Sequence, residues 1–589
     1  MNLSSVFAAV HGGPTSRNHA LSAAEPRTPR RAPAPDGLAQ LLLTAMRRSW
    51  HSLSHIAILV GCSVGNGSAQ AQDESPCLRR LNNLYPETSM RITALSTLSA
   101  LSSLCFMAGC QDVAETDPTA PQYTPLPHGY YTFTGENADS YAGDSVSSAG
   151  DVDGDGRDDL LVGAPFHDDG GTDVGKAYLV LANSLGATAD LNLAAADYVF
   201  RGEDIENYAG DTVSSAGDVD GDGKDDLLIS AVGNGDGGGN AGKVYLILGS
   251  SLGDTAGLEL ADADYTFTGE ASKDIAGESI SSAGDVDGDG KDDLLVGADG
   301  NNDGGTNAGK AYLFLGGNLG STSSLSLADA DYSFTGELEH TYAGHSVSNA
   351  GDVDGDGRDD LVIAAPYNGG SDEWPGKVYL FLGQSLGSNS SLNVADADYT
   401  FTGENSNDNA GKSVSSAGDV DGDGKDDLLI GARWNDSAGT DAGKVYLVLG
   451  ESLGSTSNLS LADADYTFAG EGSEDDAGHS VAGAGDVDGD GKDDLLMGAP
   501  FNDEGGPGAG RAYLFLGKSL GNTSSLNVAD ADYILTGEDQ GDIAGYSVSG
   551  AGDVDGDGKA DLLVGGAGND ERGDAAGKAY LILGAGLDL

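Results

Sequence analysis

The hydrophobic residues of this chain fall into short runs that have the length and composition of β-strands. The first complete set covers residues 145–152, 159–164, 176–181 and 198–201. The run KAYLVL alternates and is rich in branched and aromatic residues, whereas DLLVGA is continuously apolar, as is typical of a strand buried on both faces. The run SVSSAGDV consists mainly of small side chains. This pattern predicts four strands separated by polar loops.

The four-strand pattern recurs at a fixed interval. The nonamer DVDGDGxDD, which separates the first two strands, returns every 67 residues. Its seven copies begin at Asp151, Asp218, Asp285, Asp352, Asp419, Asp486 and Asp553. A long fixed period indicates one supersecondary unit repeated in an array. Seven such units occupy 469 of the 589 residues, and the remainder forms a leader.

The strand of small residues predicts where the axis of this array lies. Small side chains let strands crowd together, and the axis of a ring of sheets is the most crowded place in a propeller. We therefore expect SVSSAG innermost, followed by DLLVGA and KAYLVL, with the YxFxG strand outermost. The predicted fold class is all-β, a seven-bladed β-propeller of four-stranded blades. An open solenoid is the alternative.

The outermost strand predicts how the ring closes. Its signature, YxF/LxGE, begins at Tyr131, Tyr198, Tyr265, Tyr332, Tyr399, Tyr466 and Tyr533. The first copy precedes the first nonamer, and no copy follows the last nonamer. Seven complete blades therefore require residues 131–134 to pair with the strand at 580–583, which would remove the open sheet edges of the array.

The nonamer carries the donor set of a calcium loop. Carboxylates at positions 1, 3, 5, 8 and 9 aim hard oxygens into a tight loop, glycine at position 6 permits the turn, and position 7 offers its backbone carbonyl. Magnesium prefers fewer protein ligands, and softer metals favour His or Cys. Because Ala560 replaces Asp at position 8 of the last copy, we expect positions 1, 3, 5 and 9, with the carbonyl of position 7, to ligate up to seven Ca²⁺ ions. These residues are Asp151, Asp153, Asp155, Arg157, Asp159; Asp218, Asp220, Asp222, Lys224, Asp226; Asp285, Asp287, Asp289, Lys291, Asp293; Asp352, Asp354, Asp356, Arg358, Asp360; Asp419, Asp421, Asp423, Lys425, Asp427; Asp486, Asp488, Asp490, Lys492, Asp494; and Asp553, Asp555, Asp557, Lys559, Asp561.

Two other interpretations of the nonamer are weaker. An EF-hand would carry a bidentate Glu at position 12, yet this position is Val, Ile or Met in all seven copies. A solvated acidic turn without metal is the second alternative. Five carboxylates and one cation give most copies a net charge of about −4, which is repulsive without a bound ion.

The charge of the whole chain excludes one class of partner. The sequence has 29 Lys and Arg against 94 Asp and Glu, a formal net charge of −65. Nucleic-acid binding needs basic surface that neutralises phosphates, so we expect no nucleic-acid partner. We expect a monomer that meets a membrane only through a lipid anchor.

The leader supplies that anchor. Residues 1–89 contain eight Arg, no Lys and scattered Pro, and we interpret them as disordered or as sequence upstream of the true start codon. Residues 90–110 place one Arg before an apolar run and resemble a bacterial lipoprotein signal, with Met107, Ala108, Gly109 and Cys110 in the place of the lipobox. The resemblance implies cleavage before Cys110 and lipid on its sulfur. An uncleaved cytosolic segment is the alternative.

The rest of the chain follows from this division. Residues 111–129 contain four Pro and predict a linker, and residues 130–589 form the propeller. All four Cys lie in the leader, so no disulfide framework holds the repeats together. We expect an exported protein that is lipid-anchored to a bacterial membrane or cell surface, with secretion as the alternative.

The repeat as a whole resembles a known family. AG-x-SVSSAGDVDGDGxDDLLVGAP followed by GKAYLFLG is similar to the FG-GAP repeat of integrin α-subunits. That resemblance implies a seven-bladed propeller with calcium in DxDxDGxxD loops. The Phe-Gly pair is Ala-Gly here, and the GAP triplet is intact only at 163–165 and 498–500. No integrin-type leg domains or transmembrane helix follow the repeats, so we do not transfer receptor signalling.

The repeats differ mainly in two loops, one after the GAP position and one after the GE of the outermost strand. By strand alternation both loops emerge on the face opposite the calcium hairpins. The first set carries Phe166, His167, Tyr367, Trp374, Arg433, Trp434 and Phe501, and the second carries Tyr141, Tyr208, His340 and Tyr342. Exposed aromatic residues on a rigid scaffold suggest a recognition surface for protein or polysaccharide, although unconstrained drift would also vary these loops.

Two functions therefore remain open. The favoured one is a calcium-binding cell-surface module for adhesion or ligand binding. The alternative is a glycan-binding, lectin-like or hydrolytic propeller with its site on the variable face. We expect no enzyme activity, because the histidines do not recur as a ligand set and the strands nearest the axis consist of Ser, Ala and Gly.

Overall fold

The computed structural model describes residues 130–587, apart from residues 187–188, 254–256, 370–372 and 522. The predicted segments 1–89, 90–110 and 111–129, including Cys110, lie outside the described residues. Within the described part the chain is all-β, with 3-10 turns as its only helical elements. No helix in this part has the length and hydropathy of a membrane span.

The strands follow the 67-residue period. A first strand, β1 (Tyr130–Thr134), precedes the seven units. The first three units contain β2 (Val146–Gly150), β3 (Asp159–Ala164), β4 (Lys176–Val180), β5 (Asp190–Asn192), β6 (Tyr198–Arg201); β7 (Ala209–Gly217), β8 (Asp226–Ala231), β9 (Lys243–Ile247), β10 (Gly257–Glu259), β11 (Tyr265–Thr268); and β12 (Ala276–Gly284), β13 (Asp293–Ala298), β14 (Lys310–Phe314), β15 (Ser324–Ser326), β16 (Tyr332–Thr335). The last four contain β17 (Ser346–Gly351), β18 (Asp360–Ala365), β19 (Lys377–Phe381), β20 (Ser391–Asn393), β21 (Tyr399–Thr402); β22 (Ala410–Gly418), β23 (Asp427–Ala432), β24 (Lys444–Val448), β25 (Asn458–Ser460), β26 (Tyr466–Ala469); β27 (Val481–Gly485), β28 (Asp494–Ala499), β29 (Arg511–Phe515), β30 (Ser525–Asn527), β31 (Tyr533–Thr536); and β32 (Val548–Gly552), β33 (Asp561–Gly566), β34 (Lys578–Ile582).

One short 3-10 turn follows the third strand of each unit, and another follows the three-residue strand in the six units that contain one. They span Ala182–Ser184, Leu193–Ala195, Gly249–Ser251, Leu260–Asp262, Gly316–Asn318, Leu327–Asp329, Gly383–Ser385, Val394–Asp396, Gly450–Ser452, Leu461–Asp463, Gly517–Ser519, Val528–Asp530 and Gly584–Gly586.

The strands form seven sheets, the blades of a β-propeller. In the first unit the order from the axis outward is β2, β3, β4 and β6, and the other units repeat it. The innermost strands contact one another around the ring, including β2 with β7 and β2 with β32. The predicted fold class and strand order are therefore confirmed. Small residues occupy the innermost position because seven strands converge there.

The ring closes as predicted. Strand β1 pairs antiparallel with β34, with Tyr131 opposite Leu581 and Phe133 opposite Ala579. The last sheet therefore combines the first strand of the described chain with the last three. Tyr131 and Phe133 are fully buried in a core cluster with residues of β33 and β34. The open solenoid is excluded.

Six of the seven sheets carry a fifth strand in addition to the four predicted strands of each blade. In those sheets a three-residue strand from the following unit pairs parallel with the outermost strand, as β10 does with β6. The first residue of the 3-10 turn after this short strand is buried between two blades, as Leu260 is. The turn carries its apolar side chain into the gap between blades, and this packing holds the short strand against the sheet edge.

Neighbouring blades are also joined by partly buried ion pairs. The Glu of each GE pair extends from the outermost strand of one blade to the first residue of the third strand of the next blade. One example joins Glu203 to Lys243 at 2.7 Å. Equivalent pairs are Glu136–Lys176, Glu270–Lys310, Glu337–Lys377, Glu404–Lys444, Glu471–Arg511 and Glu538–Lys578. These links and the apolar cores between blades stabilise the ring without disulfides.

Candidate cation-binding loops and axial site

Each nonamer forms the hairpin between the innermost and second strands of a blade. The carboxylate at position 1 organises the loop. Asp151 Oδ1 accepts hydrogen bonds from Gly154 N and Asp155 N at 2.8 and 2.9 Å, and its Oδ2 accepts one from Gly156 N at 2.8 Å. Both glycines have left-handed backbone angles, with φ of 77° and 89°. Glycine is needed there because a Cβ would be strained in that conformation.

The loop geometry brings the predicted carboxylates together. In the first loop, oxygen atoms of Asp151, Asp153 and Asp159 lie within 4.8 Å of one another. The next three loops group positions 1, 3 and 5 instead: Asp218, Asp220, Asp222; Asp285, Asp287, Asp289; and Asp352, Asp354, Asp356. Three carboxylates around one point fit a hard divalent cation. The predicted position 7 residues, such as Arg157, lie in the same loops.

The carboxylate at position 9 is buried and also accepts hydrogen bonds from two backbone N–H groups. Asp159 Oδ2 accepts a hydrogen bond from Val152 N at 3.2 Å, and Oδ1 accepts one from Ala182 N at 2.8 Å. It therefore connects the hairpin to the 3-10 turn after the third strand. Burial raises the pKa of Asp159 to about 8. The equivalent residues Asp226, Asp293, Asp360, Asp427, Asp494 and Asp561 have pKa values raised to about 7 by the same cause.

Position 8 joins adjacent loops, a role that the sequence did not reveal. The carboxylate of Asp225 accepts a hydrogen bond from the backbone N of Asp151 in the neighbouring blade at 2.7 Å. Five more blade boundaries repeat it, through Asp292, Asp359, Asp426, Asp493 and Asp158. At the seventh boundary Ala560 stands in place of the carboxylate, and the backbone bond from Ala560 N to Asp486 O remains.

The opposite end of the innermost strands carries a second constellation. One residue per blade follows the Ala-Gly pair and lies just before or within the first residues of the innermost strand. We call these seven residues the axial ring. They are Asp144, Asp211, Glu278, His345, Lys412, His479 and Tyr546. In a strand, seven residues span about 23 Å, which separates Asp211 from the loop residue Asp218. The axial ring and the candidate cation loops therefore lie on opposite faces.

The axial ring corrects one sequence-based expectation. The region nearest the axis is not limited to Ser, Ala and Gly, because one position per blade carries an ionisable side chain. His345 and His479 occupy this position in two of the seven units. The sequence signal was available, since the ring position is the variable residue inside the otherwise constant AG-x-S motif.

Burial controls the charge of the axial ring. It raises the pKa of Asp144 to about 7, raises that of Asp211 well above its ordinary value and lowers that of His345 to about 3. It also lowers the pKa of Lys412, with Arg433 adding to this effect. Lys412 Nζ lies 3.1 Å from His345 Nε2. Acids and bases from blades across the ring therefore share one poorly solvated space.

A carboxylate outside the ring completes a tight cluster. Asp299 Oδ2 lies 2.9 Å from His345 Nδ1, and Glu278 contributes an oxygen to a group whose atoms all lie within 4.8 Å. Burial raises the pKa of Asp299 to about 7. Asp299 and His345 of this cluster line a cavity of about 520 Å³ together with His340, Tyr342, Tyr367 and Trp374.

The two variable loop sets meet beside this cavity. Tyr342 packs edge-on against Tyr367 at 5.2 Å between ring centroids, and Tyr367 contacts Trp374 and Trp434 at 6.0 and 6.4 Å. The Arg433 guanidinium lies 4.5 Å from the centroid of Trp434. A second cluster joins Tyr141, Phe166 and Tyr208, and a third joins Phe501 to His479. Because residues of the two sets contact each other, both loops emerge on one face, as predicted.

One member of the predicted surface is not on it. His167 is only 1% exposed. Its Nδ1 accepts a hydrogen bond from Asp169 N at 3.0 Å, and its Nε2 lies 3.1 Å from Asn137 Nδ2. This histidine therefore organises its own loop. Its neighbour Phe166 remains part of the aromatic face.

The residue before each Ala-Gly pair has a strained backbone. Tyr141, Tyr208, Ile275, Tyr342, Asn409, Asp476 and Ile543 all have φ between 49° and 59°. Non-glycine residues rarely adopt this conformation, least of all β-branched ones such as Ile. The strain recurs in every unit beside the axial ring. It positions a side chain at the rim of the ring in each blade.

Comparison with known proteins agrees with this architecture. The family model described as FG-GAP repeat matches residues 142–180, 209–247, 276–314, 343–381, 410–448, 477–515 and 544–582. Each match runs from the Ala-Gly pair to the third strand of a blade. The seven matches therefore coincide with the seven units of the structure.

Integrin α-subunits are among the relatives of this chain. The chain is 34% identical over 242 residues to integrin alpha-5 of Xenopus laevis, covering 39% of this chain and 20% of the relative. It is 30% identical over 239 residues to integrin alpha-PS2 of Drosophila melanogaster, covering 40% and 16%. It is 37% identical over 174 residues to integrin alpha-IIb of Homo sapiens, covering 28% and 16%. The matched region spans at most about a fifth of each of these relatives.

Among solved structures, the crystal structure of rhamnogalacturonan lyase YesW aligns with a TM-score of 0.27 and 13% identity. The alignment covers 77% of this chain and 91% of that chain.

Proposed function

Since this chain is an FG-GAP β-propeller related to integrin α-subunits, we propose that it is a calcium-binding, cell-surface module for adhesion or ligand binding. The ligand, a protein or a polysaccharide, binds on the face that carries the axial ring and the variable loops. One observation supports this most. The sevenfold repetition is broken on that face, where aromatic, acidic and basic side chains converge on a rigid scaffold.

The candidate cation loops support the calcium part of the proposal. Their donors are carboxylate oxygens, which calcium prefers, and they lie in tight glycine-containing hairpins. Positions 1, 3, 5 and 9 of each loop, which are Asp151, Asp153, Asp155 and Asp159 in the first, would hold the ion. The ions would neutralise part of the negative charge on the face that carries the nonamer loops. They would also fix the hairpins that join the two inner strands of each blade.

The aromatic clusters support the choice of binding face. Large, rigid aromatic side chains contribute contact area at low entropic cost, and they are enriched at protein and sugar interfaces. Trp374 is 39% exposed and Phe501 is 41% exposed, so both present apolar surface to a ligand. The Arg433 guanidinium adds a cation beside Trp434.

The experiment is a screen of the full chain, loaded with calcium, on glycan and protein arrays. Hits are tested with the double variant Tyr367→Ala, Trp434→Ala. The control is Asn458→Ala, which alters an exposed residue of the short fifth strand β25. We expect the double variant to lose binding at least tenfold and the control to bind normally. Equal binding by both variants would refute the proposed face.

A second candidate function is favoured by the axial ring. Acidic, basic and phenolic groups with shifted pKa values in one cavity are a common feature of catalytic sites. A hydrolytic or lectin-like propeller acting on polysaccharide is therefore the alternative. Release of new reducing ends that disappears in His345→Ala would favour hydrolysis. Binding without turnover would favour the non-enzymatic module.

We further propose that the protein is exported and held at a bacterial membrane or cell surface by lipid on Cys110. The motif Met107, Ala108, Gly109 and Cys110 supports this. Cys110→Ser should release the protein from membranes without changing its melting temperature. An unmodified N-terminus upstream of residue 90 in the membrane-bound form, identified by mass spectrometry, would exclude lipidation.

A further inference from the structure

One of the seven blade boundaries contains an apolar groove. It lies between the sixth sheet, which ends at β31, and the last sheet, which contains β1 and β34. The groove has a volume of about 280 Å³ and is lined by Tyr130, Tyr533, Leu535, Val564, Ile582 and Leu587. Within the described residues, β31 is the only outermost strand without a fifth strand beside it.

The other six boundaries show what fills this space. In each of them the short fifth strand and its 3-10 turn insert one Leu or Val beside the outermost strand of the preceding blade. These residues are Leu193, Leu260, Leu327, Val394, Leu461 and Val528, and all are at most 1% exposed. Each packs in the core cluster of its boundary, as Leu260 does with Phe200. At the seventh boundary Leu535 stands in the place of that Phe and is only half-buried.

The position of the buried residue is constant along the chain. It lies five residues before the Tyr that starts the next outermost strand, as Leu260 does before Tyr265. Counting back five residues from Tyr131 of β1 reaches Leu126. The chain also enters at the correct place, because Tyr130 lines the groove and pairs with Ile582.

We infer that residues 122–129, QYTPLPHG, occupy this groove as the fifth strand of the sixth blade, with Leu126 in the place of Val528. The register follows from β26 and β30, in which Thr467 pairs with Ser525 and Phe468 with Leu526. Transferred to β31, it places Tyr123 beside Ile534, Thr124 beside Leu535 and Pro125 beside Thr536.

The two prolines of the segment fit this register. Thr467 N donates to Ser524 O, so in a parallel ladder residues 524, 526 and 528 face β26. The intervening N–H groups point elsewhere: Asn527 N donates to Asp530 Oδ2, and Ala529 N donates to Asn527 Oδ1. Pro125 and Pro127 take the places of Asn527 and Ala529. Neither proline would remove a hydrogen bond to the neighbouring strand.

The first test compares two variants of the full chain that introduce the same charge two residues apart. Leu126→Asp places a carboxylate in the apolar groove and should lower the melting temperature by about 3–8 °C. His128→Asp is the control, because five of the six equivalent positions already carry Asp, including Asp262 and Asp530. We expect it to melt within about 1 °C of the parent. Equal shifts for both variants would contradict the assignment.

The second test uses a disulfide to detect the predicted register between residues 122–129 and β31, and its result does not depend on a change in stability. In the full chain carrying Thr124→Cys and Leu535→Cys, we expect a 124–535 disulfide within one chain, located by peptide mapping. Amide exchange of Ile534 and Thr536 should be slowed at least 100-fold relative to unpaired peptide. A disulfide between two chains would assign the groove to a second copy. Absence of the disulfide with rapid exchange would leave the groove to another partner, and either result overturns the proposal.

Discussion

The two ends of the innermost strands obey different rules. At one end, the seven nonamers are nearly identical, and every carboxylate of the first loop has hydrogen-bond partners within the blade or across to the next one. At the other end, the axial ring places seven side chains of four chemical kinds at one equivalent position, and burial opposes the charged forms of most of them. Side chains that stabilise the repeated fold recur in every unit. Side chains that destabilise it are retained when they serve a function other than folding.

The largest effect is expected from a chelator that removes divalent cations from the loop face. A ligand that binds only the folded state adds about 4 kcal/mol per site when it is a thousandfold above its dissociation constant. Excess chelator should therefore lower the melting temperature of the protein by tens of degrees if several loops bind calcium. Calorimetry with and without calcium measures this shift. An unchanged melting curve would show that the loops do not stabilise the fold through bound ions.

A second test separates neighbouring carboxylates of one loop. Asp427→Ala should lower the calcium stoichiometry by one and cost about 2–4 kcal/mol, because Val420 N and Gly450 N lose their acceptor. Asp426→Ala should leave the stoichiometry unchanged, since that side chain accepts a hydrogen bond from Asp352 N of the neighbouring blade. Titration calorimetry measures both. Equal losses of calcium binding would overturn the assignment of ligands to positions 1, 3, 5 and 9.

A third test concerns the axial ring, where we expect removal of a carboxylate to increase the free energy of unfolding. The folded pKa of Asp144 is about 7, above its ordinary value, so the fold binds the proton more tightly than the unfolded chain does. Its contribution to stability falls as the pH rises from about 4 to 7. Asp144→Asn should therefore be more stable than the parent by about 1–3 kcal/mol at pH 8, with the difference shrinking toward pH 5. Denaturant unfolding at both pH values measures it. A destabilised variant at pH 8 would mean that the carboxylate supports the fold.

The smallest effect is expected in the variable loops. Trp374→Ala should change the free energy of unfolding by less than about 0.5 kcal/mol, because this exposed side chain packs against one neighbouring ring, that of Tyr367. Thermal melting of the two proteins in parallel checks this. A loss of several degrees would place Trp374 in the structural part of the molecule and remove it from the recognition surface.

Repetition explains what could be predicted from the sequence. The strand order, the seven blades and the pairing of Tyr131 with the last blade follow from counting one motif per unit. The fifth strands could not be found in this way, because the three residues of β10 carry too little pattern to be distinguished from a loop.

The side chains of the candidate site were also harder to predict, because contacts between blades bring them together. A single ring position such as Lys412 shows its importance only when the ring brings it next to His345 and opposite Asp144, residues that lie 67 and 268 positions away. The inter-blade role of Asp225 was also hidden, because its acceptor function depends on a neighbouring loop 74 residues distant. Local pattern identifies elements, whereas contacts across blades decide which residues act together.

The closing strand has a consequence for the order in which the protein can fold. Most contacts join residues within one or two units, but Tyr131 pairs with Leu581 across 450 residues. At about 5–20 residues per second, β1 leaves the ribosome roughly 20–90 s before its partner strand is made. During synthesis, blades can assemble one after another on local contacts, while β1 waits with an unpaired edge. Ring closure therefore comes after all the other blades can have formed, once β34 has been synthesised.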